Sequence, residues 1–188
     1  MDIYLIRHTE PDVKKSTCYG QSDVGILASF TNEAESVKKK FEISEDAVFY
    51  SSPLTRCKLL AESLCPKEKI KFDNRIMEIN FGDWELKAWD DFNEEIFAKW
   101  SDNIVDYKIP GGESFRDLYE RSIVFLNEIF ETNHPQVAIV THAGVIRACI
   151  VYILGMPLEN LFRIHLDFGS ISKLNIEDKK IKIIYVNK

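Results

Sequence analysis

Three short apolar runs set the frame of this chain, and each ends abruptly in polar or charged residues. Asp2 to Ile6 is mostly apolar and breaks at Arg7, Ala47 to Tyr50 breaks at Ser51, and Gln136 to Val140, β-branched and apolar, breaks at Thr141. Runs this short and this apolar read as buried strands. Between them the spacing turns helical. Residues from about Ala28 to Phe41 give a solvated helical pattern closed by Lys38-Lys39-Lys40. That lysine run suits a helix C-terminus, where cations oppose the macrodipole. Ser51 or Ser52 is placed to cap a helix that opens near Pro53 and runs to about Leu64, ahead of Pro66. A further helix is predicted from Trp89 to Trp100, and Ser114 with Asp117 forms the pattern of a capping box opening a long helix to about Glu131. Gly144 to Leu154 is the last helical stretch, stopped at Gly155.

What lies between these elements is punctuated by turn residues. Residues 9 to 25, with Pro11, Gly20 and Gly25, read as an irregular loop, and Pro110-Gly111-Gly112 reads as a turn. The tail from Arg163 to Val186 predicts two or three strands with a turn around Glu177-Asp178. Strands alternating with helices predict an α/β fold, a three-layer α/β/α sandwich around a mostly parallel central sheet. There is no internal repeat and no linker-like stretch, and 188 residues suffice for one hydrophobic core, so a single domain over residues 1–188 is expected. The late strands around Lys173 to Tyr185 could leave an edge open to pairing, through which a homodimer could form.

Composition narrows the partners. No apolar stretch approaches the roughly 20 residues of a membrane span. Met1-Asp2-Ile3-Tyr4 has neither the basic region nor the cleavage site of a signal peptide, so no membrane association and a cytoplasmic location are expected. The net charge of −6 argues against a nucleic-acid partner and requires any phosphate site to be a local positive pocket. Cys18, Cys57, Cys65 and Cys149 show no CxxC spacing, so neither a zinc site nor a redox pair is indicated.

In open α/β sheets ligands sit beyond the carboxyl ends of the strands. Here those ends deliver Arg7-His8, the segment Ser51 to Arg56, and Thr141-His142-Ala143-Gly144 to a single rim, while Glu78 stands ahead of Phe81-Gly82-Asp83-Trp84-Glu85. Helices beginning near Pro53 and Gly144 would add N-terminal amides that favour an anion. Taken singly, His8 or His142 reads as a surface or capping histidine, Arg56 as half of a solvated ion pair, and Glu78 as an exposed acid. Taken together, the segments supply a nucleophile, anion-binding cations and a proton donor for phosphoester transfer, with no metal or other cofactor called for. Other phosphatase and kinase signatures are missing. No cysteine has an arginine six residues later, there is no DxD, GxxxxGK or HExxH segment, and Asp167-Phe168-Gly169 lacks a preceding HRD and reads as a turn.

Arg7-His8-Thr9-Glu10, Ser51 to Arg56, Glu78 to Glu85 and Thr141-His142-Ala143-Gly144 resemble the histidine phosphatase superfamily, also called phosphoglycerate mutase-like, and the resemblance covers nearly the whole chain. Within it, Cys18-Tyr19-Gly20-Gln21-Ser22-Asp23-Val24, the Phe81-to-Glu85 stretch, and Gly155-Met156-Pro157 leading to Asp167-Phe168-Gly169-Ser170 resemble the alpha-ribazole phosphatases of cobalamin synthesis. The resemblance implies that His8 takes the phosphoryl group as phosphohistidine, that Arg7, Arg56 and His142 bind the phosphate oxygens, and that Glu78 protonates the leaving alcohol. Gln21, Ser22, Glu10 and Ser114 are further candidates for substrate contact. The implied substrate is a small phosphomonoester, alpha-ribazole 5′-phosphate in the first instance. Another small phosphomonoester, a phosphoglycerate mutase and a non-catalytic phospholigand-binding protein are the alternatives.

Two positions depart from the family pattern. Thr9 replaces the usual glycine after the histidine, as in the alpha-ribazole subgroup, and Leu86 stands where glycine is common, which leaves that loop's conformation open. Nearby Arg7 and Arg56 should keep His8 neutral, since like charges disfavour its cationic form. Trp84, Trp89, Trp100 and Phe81 could face a flat leaving group or pack in the core.

Overall fold

A computed structural model describes residues 1–178 and 180–188. In chain order the elements are β1 (Asp2–Arg7), β2 (Pro11–Asp12), β3 (Gly25–Ile26), α1 (Phe30–Lys39), β4 (Val48–Ser51), α2 (Thr55–Leu64), β5 (Ile70–Phe72), α3 (Glu94–Asp102), α4 (Phe115–Phe130), β6 (Gln136–Thr141), α5 (Ala143–Leu154), β7 (Ile171–Glu177) and β8 (Lys180–Tyr185). The main sheet runs β5-β4-β6-β1-β7-β8. Its first four strands are parallel, and β7 and β8 complete it antiparallel.

Alternation along the central strands divides the core into two layers. Ile3, Leu5, Val137 and Ile139 face one way, onto α4 and α5 through Leu118, Leu126, Ile146 and Ile150. Tyr4, Ile6, Ala138 and Val140 face the other way, onto α1 and α2 through Ala34, Val37, Leu60 and Ala61. Both faces of β1 and β6 are therefore covered, which explains why these strands read as continuous apolar runs. Burying each of these Ile or Leu side chains contributes roughly 1.5–3 kcal/mol. Register then sets up the site. Arg7 pairs with Thr141 and Ser51 with Val140, so three neighbouring strands end level on one rim.

Several local expectations are corrected. The cap of α2 is Leu54, with no side-chain cap bond; Ser51 belongs to β4, and Ser52 is turned toward His142. The helix expected from Trp89 begins at Glu94 behind the Asn93 cap, and Trp89–Asp91 forms a separate 3-10 turn. β5 was not legible, because only Ile70 of its three residues is buried. The stretch expected as an irregular loop over residues 9 to 25 instead opens and closes on the small antiparallel pair β2–β3, which ends at Ile26. The capping box at Ser114 and Asp117 is present, and Gly155 closes α5 in a left-handed conformation. No helix among the described residues is long and apolar enough to cross a membrane.

Candidate phosphate site

His8 follows the last residue of β1 and is tied to the neighbouring strand by its backbone N–H, which donates to Thr141 O at 3.0 Å. Its ring is buried, and Nδ1 lies 2.7 Å from Thr9 O. A carbonyl can only accept, so Nδ1 carries the proton and Nε2 keeps its lone pair. His142, the residue after β6, places its ring centroid 5.1 Å from that of His8. Its Nε2 lies 2.8 Å from Ser52 Oγ and 3.4 Å from Cys57 Sγ.

Burial holds both imidazoles well below their ordinary pKa, and the positive charge of Arg56 adds to it; Arg7 presses His8 further in the same direction. The like charges foreseen from sequence are thus the smaller cause, with desolvation ahead of them.

Arg56 sits in the first turn of α2 and is fully buried. One of its terminal nitrogens donates to Gly20 O and the other to Ser22 O at 3.1 Å. Arg7 donates from Nη1 to Leu166 O, and its guanidinium carbon lies 3.8 Å from the centre of the Phe168 ring. The buried Nε–H groups of Arg7 and Arg56 find no acceptor among the described residues. Buried guanidinium donors are normally saturated. Two of them left over beside imidazoles whose pKa is lowered, in a chain of net charge −6, concentrate positive charge at one place, as an oxyanion site requires.

Glu78 reaches the same place by a different route. Its Oε2 accepts from Gly144 N at 3.1 Å and its Oε1 from Ile79 N at 3.1 Å. The approach to Gly144 is so close that a β-carbon there would lie 2.1 Å from Glu78 Oε1. The lack of a side chain at Gly144 is thus what admits the carboxylate to the N-terminus of α5.

Gln21, Ser22, Glu10 and Ser114 fare differently. Gln21 donates from its side chain to Glu78 O at 3.0 Å, and Ser22 uses its carbonyl to receive Arg56. Glu10 is exposed, with its backbone N–H bound to Glu33. Ser114 caps α4, its hydroxyl oxygen accepting from Asp117 N at 3.1 Å. Trp84 is buried within van der Waals range of Phe92, Trp100 and Tyr107, and Trp89 stacks on Trp100. The aromatic rings against the guanidiniums of this cluster are instead Phe168 at Arg7 and Tyr19 at Arg56, the latter with a separation of 5.4 Å.

Supporting residues carry much of this geometry and left little trace in the sequence. The Glu85 carboxylate accepts from the backbone N–H groups of Gly20, Gln21, Ser22 and Phe81. Burial works to raise its pKa, but these donors outweigh it and hold the group below the ordinary glutamate range. Arg121 donates to the carbonyls of Arg75, Met77 and Glu78 and is itself gripped by Glu113. Glu85 closes the Phe81-to-Glu85 motif, so a signal existed; Arg121 offered none beyond being a charge within an amphipathic helix.

Residues 3–188 match the family model of the histidine phosphatase superfamily (branch 1). A phosphoserine phosphatase 1 of Hydrogenobacter thermophilus is 27% identical over 192 residues, covering 98% of this chain and 91% of that protein. A probable phosphoglycerate mutase, GpmB, of Salmonella paratyphi C is 29% identical over 189 residues, covering 96% and 87%. Among solved structures, the alpha-ribazole phosphatase of Shigella flexneri superposes with a TM-score of 0.89 at 24% identity, covering 100% of this chain and 96% of that one. The match over nearly all residues shows that the chain belongs to the histidine phosphatase superfamily, and with its phosphatase relatives it is a phosphoric monoester hydrolase.

Proposed function

We propose that this phosphatase works through a phosphohistidine on His8. Nε2 of His8 attacks phosphorus in line as the ester P–O bond breaks, and the Glu78 carboxyl gives its proton to the departing alcohol oxygen. Water then attacks the phosphohistidine, passes its proton to the Glu78 carboxylate, and inorganic phosphate leaves. Arg7, Arg56 and His142 hold the equatorial oxygens through transfer, where preorganised donors act most strongly. The Nδ1–H bond to Thr9 O supports the positive ring that forms on phosphorylation. The observation that carries this reading is the cluster of the buried His8, His142 and Arg56 with the half-buried Arg7, in which the Nε–H groups of both guanidiniums lack acceptors among the described residues.

The substrate we propose is alpha-ribazole 5′-phosphate, on the strength of the Cys18-to-Val24 segment. That segment puts Tyr19 over Arg56, and a cavity of about 260 Å³ lies between Tyr19 and Phe168, lined also by Glu10 and Thr17. Two aromatic walls suit a flat leaving group. Lys14 and Lys15 line the same cavity and favour a second reading, an acidic alcohol such as that of phosphoserine or a phosphoglycerate. A panel of these phosphomonoesters decides between them, scored by phosphate release and by the appearance of any isomer. Isomer without phosphate would make the enzyme a mutase. His8→Ala should abolish hydrolysis of a nitrophenyl phosphate while the protein stays folded; retained activity would remove His8 from the nucleophile's role.

A further inference from the structure

Glu33, Val37 and Lys40 recur at helical spacing, four and three residues apart, and so share one face of α1. That face lies along the loops flanking His8. Glu33 Oε2 accepts from Glu10 N at 3.0 Å, while its Oε1 accepts from Ser29 Oγ at 2.6 Å. Lys40 Nζ donates to Gly169 O at 2.8 Å. Between them Val37 presses on Gly169, where a β-carbon would lie 3.0 Å from Val37 Cγ2 and where φ is +62°.

The loop so held is bound directly to the reacting residues. Gly169 N donates to His8 O and Arg7 N to Ser170 O, both at 3.0 Å, and the Phe168 ring lies against the Arg7 guanidinium. The loop over residues 167 to 170 is therefore clasped between α1 and the Arg7-His8 backbone. A favourable interaction with the helix dipole accounts for Lys38 and Lys39, which are exposed, but not for Lys40, which is half-buried and reaches across to another loop.

We propose that Lys40 and Glu33 are positioning residues that set His8 and Arg7 for phosphoryl transfer through the loops on either side. This rests on the phosphohistidine reading of the site. Both bonds are charge-assisted, and an ångström of drift at a reacting group is enough to cost a large factor in rate.

The test compares Lys40→Met with Lys40→Arg, and Glu33→Ala with Glu33→Gln, using nitrophenyl phosphate turnover, competitive inhibition by inorganic phosphate, and the thermal midpoint. Lys40→Met should lower kcat by about tenfold or more and weaken phosphate inhibition several-fold, with the midpoint moved by only a few degrees. Lys40→Arg should regain most of both, since it still donates to Gly169 O. If Lys40→Met does not fold, the Glu33 pair decides the same claim, because Gln can accept from Glu10 N and Ala cannot. A folded Lys40→Met or Glu33→Ala with parental kcat and phosphate inhibition overturns the proposal. So does an arginine variant as impaired as the methionine one. His8→Ala, run alongside, keeps the two readings apart: its loss of activity beside an unimpaired Lys40→Met sinks only the positioning role.

Discussion

Gly144→Ala isolates the placement of one carboxylate without altering any titratable group. The added methyl would lie 2.1 Å from Glu78 Oε1 and 3.1 Å from Leu118 Cδ1. Carbon and oxygen approach no closer than roughly 3.3 Å even in weak C–H···O contacts, so the carboxylate must withdraw by about 1 Å. It then loses its bond from Gly144 N, a contact to a charged group of the kind that contributes about 1.5–3 kcal/mol. Alanine in a first helical turn is otherwise favourable, by up to about 1 kcal/mol over glycine, so the fold should persist. A displacement of this size at an acid catalyst predicts a loss of about 100-fold in kcat/KM on an alkyl phosphate, whose alkoxide cannot leave unprotonated. Nitrophenyl phosphate, whose leaving group needs no proton, should lose less than about threefold. The measurement is steady-state phosphate release from both esters, with Glu78→Gln as the reference. Equal losses on the two esters would refute the general-acid role of Glu78, and no loss on either would refute the close approach of Glu78 to the α5 N-terminus.

Burial keeps His8 and His142 neutral in the fold, whereas in the unfolded chain they titrate near the ordinary value of about 6.5. Below that pH the unfolded state binds two protons that the folded state does not. Stability should therefore fall as pH drops from 7.5 to 5.5, with a slope reaching about 2.7 kcal/mol per unit while both rings stay neutral in the fold. Urea unfolding across that range reads it, His142→Gln should halve the slope, and a flat profile contradicts the assignment. Leu86 has φ +64°, in the left-handed region that favours glycine, and is exposed. A left-handed leucine costs about 1–2 kcal/mol and glycine returns part of this as unfolded-chain entropy, so Leu86→Gly should stabilise by about 0.5–1 kcal/mol. A midpoint that fails to rise would mean the loop is relaxed. Glu85→Gln replaces an acceptor for four backbone N–H groups with one that can satisfy only part of the set, and should destabilise by about 2–3 kcal/mol in urea. A change below about 0.5 kcal/mol, the size of an ordinary surface substitution, would show that the ring of donors is incidental.

The residue types of the candidate site, the buried strands that present them and the helix opened by the Ser114 capping box were legible because each depends on local spacing. Apolar runs of strand length break at Arg7, Ser51 and Thr141, which are the last residues of β1, β4 and β6. Sheet order is not a local property. That β6 lies between β4 and β1, in a register that brings Arg7 level with Thr141 and Ser51 level with Val140, comes from contacts between distant parts of the chain. The same holds for the depth of burial that outweighs the arginines in setting His8, for the carboxylate of Glu85 gathering four amides, and for the reach of Lys40 to Gly169. Periodicity in sequence says which face of an element is apolar. Only the packed chain decides what that face meets, because desolvation and hydrogen bonding act between residues that the sequence keeps far apart.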